Sequence, residues 1–339
     1  MKFILIFKKS FFIFVLLVFG ILLILQPEIC KENVAKSIIL CARVLIPSLF
    51  PFSVCVMFIT KLNFSGSSKL FVIFLLSLIG GYPISAKLLN REVENGKLEP
   101  KTAAKMLNFC VNAGPAFVVS AVGSGFLASK KLGVLLLFSH ITASLTIYTF
   151  YKITGNKFKI KNPDKSKYIS VVDNFVNSAG ESATITLNIC SFVILFSAII
   201  GYIEFYSDKF PLLKPFLYLT EVTFGVYKTR NIYLISFLLG FSGLCVWCQI
   251  ISVAKNLKIN ILNFAIFRVI HGSLSVFYTI AAVKIFKINL SVFSNNQNFS
   301  FMPYVNNLSL SFSLLIMALI FIISIYTRNK NTKILEEFT

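Results

Sequence analysis

Carboxylates are the first residues to weigh, because a buried pair at membrane depth would mark an aspartyl protease or a proton relay. Asp164, Asp173 and Asp208 fall in expected loops, and the glutamates lie at the ends of apolar blocks or between them, so neither chemistry is favoured. The two histidines, His140 and His271, belong to no H-E-x-x-H pattern and to no dense set of ligands, so no metal, cofactor or catalytic residue is expected. Arg268 lies three residues before His271 in one apolar block, so the two side chains project to nearly the same face. A cation at that depth is costly unless it faces a cavity or a partner, which makes Arg268 a candidate for solute binding, with a structural ion pair as the alternative. Lys87, four residues past Pro83, is the second such cation. It is either interfacial or, if it follows a re-entrant tip, part of an anion pocket built with free backbone amides, with Glu221 as its counter-charge.

One serine needs separate treatment. Ser242 in Gly240-Phe-Ser-Gly243, with His271 at a distance, is similar to the serine pattern of rhomboid-type intramembrane proteases. Against that reading, His271 lies on the very next span and no histidine-asparagine oxyanion motif occurs upstream. Of seven cysteines only Cys245 and Cys248 form a C-x-x-C, inside a hydrophobic run, where cysteine behaves as a small hydrophobe.

The elements that must position these residues are membrane helices. The chain is 56% hydrophobic and 14% charged, with mean hydropathy +0.81, against roughly 25% charged residues in soluble domains. Its apolar residues come in long blocks, which excludes a soluble globule and makes the lipid bilayer a partner. Lys and Arg outnumber Asp and Glu 33 to 13, mostly in loops and tails, which speaks for topology and against nucleic acid as a partner. A basic lumen also attracts a small anionic solute.

Candidate spans are 11–25, 38–60, 103–127, 132–151, 183–206, 232–254, 261–285 and 308–326, with a shorter block at 70–89. Reading that block as re-entrant places both termini and the basic loop from Lys152 to Lys167 in the cytoplasm, as the positive-inside rule prefers, and Phe210–Tyr227 is a second short block of this kind. The expected fold is an all-α polytopic membrane helix bundle of about eight spans with one or two re-entrant broken helices. Its parts are an uncleaved anchor span and loop (1–37), a first membrane half (38–151), a basic linker (152–182), a second half (183–285), and an external loop, last span and basic tail (286–339). No oligomeric state is implied.

Breakers interrupt the blocks at mid-depth: Leu45–Phe52 (LIPSLFPF), Gly80–Pro83 (GGYP), Asn112–Pro115 (NAGP) and Gly240–Gly243 (GFSG). Such breaks expose free N–H and C=O groups and mark transporter binding sites when they recur in two halves. GGYP followed by NFCVNAGPAF is echoed at a constant offset by GFSG followed by RVIHGSLSVF, which implies an internal repeat in that register.

Through RVLIPSLFPF, GGYPISAKLLNREVENGKL, AKMLNFCVNAGPAFVVSAVG, LTEVTFG and GFSGLCVWCQ, in this order from about Val44 to beyond Gln249, the chain resembles the YlbJ (SpoVV) sporulation integral membrane proteins, which carry the Gate, or nucleoside-recognition, domain. The resemblance implies transport of dipicolinic acid across a forespore membrane, without chemistry on the solute. It also implies that the family's G-(F/Y)-P-x-(G/S)-A-K pattern is carried by Gly81, Tyr82, Pro83, Ser85, Ala86 and Lys87, and its asparagine-rich segment by Asn108 and Asn112. The cysteines and tryptophan of GFSGLCVWCQ depart from it. Candidate solute-binding residues are Pro47, Ser48, Gly80, Gly81, Pro83, Lys87, Asn108, Asn112, Glu221, Thr223, Ser242, Gly243, Gln249 and Arg268. A nucleoside or other small-solute permease and a non-transporting sporulation scaffold are the other readings; a polar central cavity would count against the scaffold.

Overall fold

The computed structural model describes residues 2–61, 67–156, 158 and 170–288. All elements among them are helical: α1 (Lys2–Leu25), α2 (Glu28–Leu40), α3 (Ile46–Lys61), α4 (Ser67–Gly80), α5 (Tyr82–Glu94), α6 (Pro100–Cys110), a π-helix (Ala116–Phe126), α7 (Lys130–Ile153), α8 (Val171–Ser207), α9 (Lys214–Thr220), α10 (Val222–Tyr227), α11 (Ile232–Phe241), α12 (Gly243–Val253) and α13 (Ile261–Ile285). The expected last span 308–326, most of the basic loop and the carboxyl-terminal tail lie outside the described residues.

The chain is a multi-pass integral membrane helix bundle. Four described helices are long and apolar enough to cross a membrane: α7, α8, the pair Ile232–Val253, and α13. A fifth forms if Ile13–Leu25 and Glu28–Leu45, bent by 96° at Pro27, count as one span. Segments Leu49–Lys61 and Ala116–Phe126 are apolar but shorter. The bundle presents Phe138, Leu187 and Phe277 outward at 62%, 63% and 62% exposure, while Arg268, His271, Asn108 and Asn112 are fully buried. Apolar outside and polar inside is the arrangement lipid demands.

Three sequence expectations change in detail. LIPSLFPF is not a break: α3 runs through Pro51, and a π-helical turn at Cys41–Leu45 precedes it. The Ile46 N–H reaches back to the Cys41 carbonyl, widening the ladder just before Pro47, which has no N–H to add to it. The linker is shorter than expected because α8 starts at Val171, Ser170 capping it by accepting the Asp173 N–H, so Asp173 is helical.

The internal repeat follows a different register from the one GGYP and GFSG imply. The order α3, α4–α5, α6–π-helix, α7 is matched by α8, α9–α10, α11–α12, α13: a long helix, a broken hairpin, a broken span and a span. Gly81 therefore corresponds to Glu221, and segment 111–114 to Ser242–Gly243. The α9–α10 pair folds back tightly enough that a Cβ on Gly225 would sit 2.4 Å from the Tyr218 carbonyl oxygen. Packing follows the same correspondence, with α3 on α8 and α7 on α13 at the centre, α5 on α12 matched by α10 on the π-helix, and α6 on α13 matched by α11 on α7. Breakers align by their place in the hairpin or span, whereas sequence letters aligned the first hairpin with the second broken span.

The second half closes on itself where α11 crosses α13. A Cβ added to Gly240 would meet the Gly272 Cα and N at 2.6 Å, so only hydrogen fits. Replacing Gly240 with Val should destabilise the bundle by about 1–3 kcal/mol through overpacking. Thermal unfolding of the detergent-solubilised protein checks this, and an unchanged melting temperature would contradict the packing described.

Candidate functional site

Four helix breaks meet at the centre of the bundle. Gly81, at φ +85° and ψ −179°, ends α4 and begins α5 in a conformation open only to glycine. Its Cα faces Gly114 closely enough that a Cβ would lie 3.6 Å from the Gly114 N. On the other side of the bundle, a Cβ on Gly243 would lie 3.0 Å from the Val222 N, so the break of α11–α12 abuts the break of α9–α10.

Between these breaks lies a cavity of about 90 Å³. A single water needs about 10–15 Å³, so the space admits a small solute. Gly80 to Ile84, Gly114, Ala116 and Phe117 line it from the first half, and Glu221 to Thr223, Val246 and Gln249 from the second. Leu45, Leu49 and Ser53 close one wall, and Thr186 and Ile189 of α8 another. A larger space of about 460 Å³ adjoins it, sharing Val193, Glu221 and Thr223 and edged by Glu32, Lys36, Glu204 and Lys228. Two of its rim pairs are ionic, Lys228 to Glu204 at 2.5 Å and Lys36 to Glu32 at 2.5 Å. The outer space is a polar vestibule, and Glu221 stands at the neck.

The helix ends that face the cavity differ in one respect. Glu221 caps α10: its carboxylate accepts the Thr223 N–H at 3.0 Å and the Phe224 N–H at 2.7 Å. The α5 end has glycine at the capping position and the π-helix has Pro115, and neither receives a side-chain cap. Their positive dipole ends face the cavity with few donors: Tyr82 and Ile84 in α5, because Pro83 has no N–H, and Ala116 and Phe117 in the π-helix, because the Val118 N–H bonds to the Gly114 carbonyl.

Of the residues singled out from the sequence, Gly80, Gly81, Pro83, Glu221, Thr223 and Gln249 line the cavity. The others do not. Pro47 is exposed on the outer face of α3, and the Ser48 side chain lies outside the described residues; Ser53, one turn further on, reaches the cavity instead. Lys87 sits half-buried on α5 and lines neither space, and Glu221 is engaged by backbone amides rather than by Lys87. Asn108 donates to the Tyr151 hydroxyl at 2.7 Å and Asn112 to the Phe109 carbonyl at 2.9 Å, both behind the break.

Arg268 is neither a solute ligand on the cavity wall nor half of an ion pair. Its Nη1 donates to the Val111 carbonyl at 2.7 Å and its Nη2 to the Asn108 carbonyl at 2.6 Å, so it caps the carboxyl end of α6. Ser242, in the left-handed region at φ 72°, donates its Oγ to the adjacent Phe241 carbonyl at 2.6 Å, while His271 bonds to the His140 carbonyl at 3.1 Å. The serine–histidine pair of the protease reading is therefore not formed. Sequence reasoning missed Tyr82, whose hydroxyl donates to the Leu239 carbonyl at 2.8 Å across the two halves, and His140, which accepts the Ala113 N–H at 3.0 Å. Each is a lone polar group in an apolar block, a weak signal until its backbone partner is known.

No family model matches the chain, and no solved structure matches it. It is 23% identical to the sporulation integral membrane protein YlbJ of Bacillus subtilis (strain 168), in a match that covers 58% of this chain and 60% of that protein's length.

Removing the α10 cap with Glu221→Ala should cost about 1–2 kcal/mol, the usual value of a side-chain N-cap. Amide hydrogen exchange at Thr223 and Phe224 should accelerate accordingly in the purified protein. Unchanged protection at both amides would show that the carboxylate does not hold this end.

Proposed function

We propose that this protein is a permease of sporulating cells that moves a small organic carboxylate across a membrane, with dipicolinic acid as the leading solute. The observation that carries the reading is the contrast between capped and uncapped helix ends around one cavity. At α10 a protein carboxylate occupies two amino-terminal amides; at α5 and the π-helix no side chain caps the amides of Tyr82, Ile84, Ala116 and Phe117 beside the same space. Pro83, in the place of Thr223, has no N–H, so at the matching break of the first half a solute carboxylate would use the Ile84 amide, the counterpart of Phe224, without reproducing the two-amide grip of Glu221. A sporulation role is taken from the similarity to YlbJ, and the solute from the chemistry of the cavity together with the sequence resemblance.

The route of entry follows from the same geometry. On one side α5 is pinned to the turn that follows α12 by Asn90, which accepts the Asn256 N–H at 2.8 Å, and by Glu94, which accepts from Asn256 Nδ2 at 2.9 Å. On the other, Glu221 and Thr223 of the short α10 break and Val193 of α8 line both the cavity and the vestibule. Solute would pass by way of the vestibule, and the α9–α10 hairpin is the thinner barrier.

A second reading, a permease for neutral nucleosides, is favoured by one feature: among the described residues the cavity wall carries a single charged side chain, Glu221, and no cation. Uptake into proteoliposomes separates the two. Radiolabelled dipicolinate should accumulate above protein-free vesicles while uridine does not, and Ser53→Asp, which adds a negative charge to the cavity wall, should lower dipicolinate uptake about tenfold or more through like-charge repulsion. Uridine uptake without dipicolinate uptake would replace the carboxylate reading with the nucleoside one.

A further inference from the structure

The segment between α6 and the π-helix, residues 111–114, keeps a helix-type bond at each end, Val111 N–H to the Leu107 carbonyl and Val118 N–H to the Gly114 carbonyl, while the Val111 carbonyl and the Ala113 N–H bond to one buried cluster of side chains. Arg268 donates to the Val111 and Asn108 carbonyls, Ser144 donates to the Phe109 carbonyl at 2.5 Å, and the Ala113 N–H donates to His140 Nε2. His271 completes the cluster: its Nε2 bonds to the His140 carbonyl, and its ring stacks on that of His140 with centroids 4.4 Å apart. His140 and Ser144 come from α7 in the first half, Arg268 and His271 from α13 in the second.

The partners dictate where the ring protons sit. A main-chain N–H only donates, so His140 Nε2 carries the lone pair and its proton is on Nδ1. A carbonyl only accepts, so His271 Nε2 carries the proton and its Nδ1 the lone pair. Doubly protonated rings would break the first bond and set a cation against the Arg268 guanidinium.

We propose that His140, His271 and Arg268 are positioning residues, a three-part lock in which the two imidazoles hold opposite neutral tautomers and fix segment 111–114 so that the amides of the π-helix amino terminus face the cavity. The tautomers follow from the hydrogen bonds alone; the consequence for transport rests on the reading of the cavity as a carboxylate site. Since the segment belongs to the first half and Arg268 to the second, the lock also ties the shape of the cavity to the packing of α7 on α13.

Because the chain has two histidines, nitrogen spectra of ¹⁵N-histidine-labelled protein in bilayers read this pair and nothing else. At neutral pH the spectrum should show one ring protonated at Nδ1 and one at Nε2 in equal amounts, and His140→Gln should remove the first set and keep the second. Two rings of the same tautomer, rapid averaging between tautomers, or an imidazolium would overturn the proposal.

For transport, His140→Gln, whose amide oxygen accepts the Ala113 N–H, should retain dipicolinate uptake near that of the unaltered protein. His140→Leu should raise KM about tenfold with Vmax within about twofold, as expected for an amide left unpaired beside the site. Equal losses in the Gln and Leu variants would overturn the positioning role. Opposite tautomers without any dipicolinate uptake would leave the lock in place and sink the carboxylate reading instead, so the two failures are distinct.

Discussion

In a bilayer no water reaches the hydrocarbon core, so every main-chain N–H and C=O at that depth must find a partner inside the protein. This chain breaks its helices four times near the centre of the bundle, at Gly81, at residues 111–114, at Glu221 and at Ser242–Gly243, and its internal chemistry is the settlement of those breaks. The carboxyl ends are closed partly from the opposite half. Arg268 of the second half takes the carbonyls of α6, and Tyr82 of the first half takes the Leu239 carbonyl of α11. Local groups complete both ends: Ser144 at Phe109, Ser242 and Trp247 at Phe241. The amino ends are treated unequally. Glu221 caps α10, whereas α5 and the π-helix end without a side chain on their amides, and those two ends line the cavity.

Charge is distributed by the same rule. A formal net charge of +20 gives the chain as a whole a strong bias toward anions, but among the described residues no Lys or Arg side chain lines the central cavity. The buried cation, Arg268, is consumed by carbonyl oxygens. An anion bound there, as proposed, would meet backbone amides at helix ends, which keep their positive character without the desolvation cost that a lysine or arginine would carry at that depth. Such donors are also rigid, since two helices and a φ of +85° at Gly81 fix where they point.

The two halves share an order of elements but differ in how completely each break is closed. Equivalent breaks, one capped by the protein's own carboxylate and one open, give the central space a direction: a closed side, where Asn90, Glu94 and Asn256 pin α5 to the end of α12, and a side where Glu221 stands between cavity and vestibule. Two ion pairs on the rim of the larger space, Lys36 with Glu32 and Lys228 with Glu204, each set one acid against one base.

The membrane character, the helical class and three of the four true breaks were legible in the amino-acid sequence, because long apolar blocks have one physical solution in lipid and because glycine and proline act on their own backbone. GGYP, NAGP and GFSG end helices where the letters say they should, and the short polar block at Phe210–Tyr227 folds as a broken hairpin. Pro47 and Pro51 misled: a π-helical turn just before Pro47 accommodates that proline, which is a property of the hydrogen-bond ladder rather than of proline itself, and α3 runs on through Pro51. Arg268 and Asn108 were recognisable as expensive residues, but their partners, the Val111 carbonyl and the Tyr151 hydroxyl, were not, since these lie 157 and 43 residues away in the chain. The sequence by itself determined that polar groups must gather inside an apolar bundle and where its helices could break. Which breaks meet, which ends stay open and which cation faces a carbonyl instead of a solute were decided only by the tertiary structure, because each depends on contacts between distant segments that no local rule encodes.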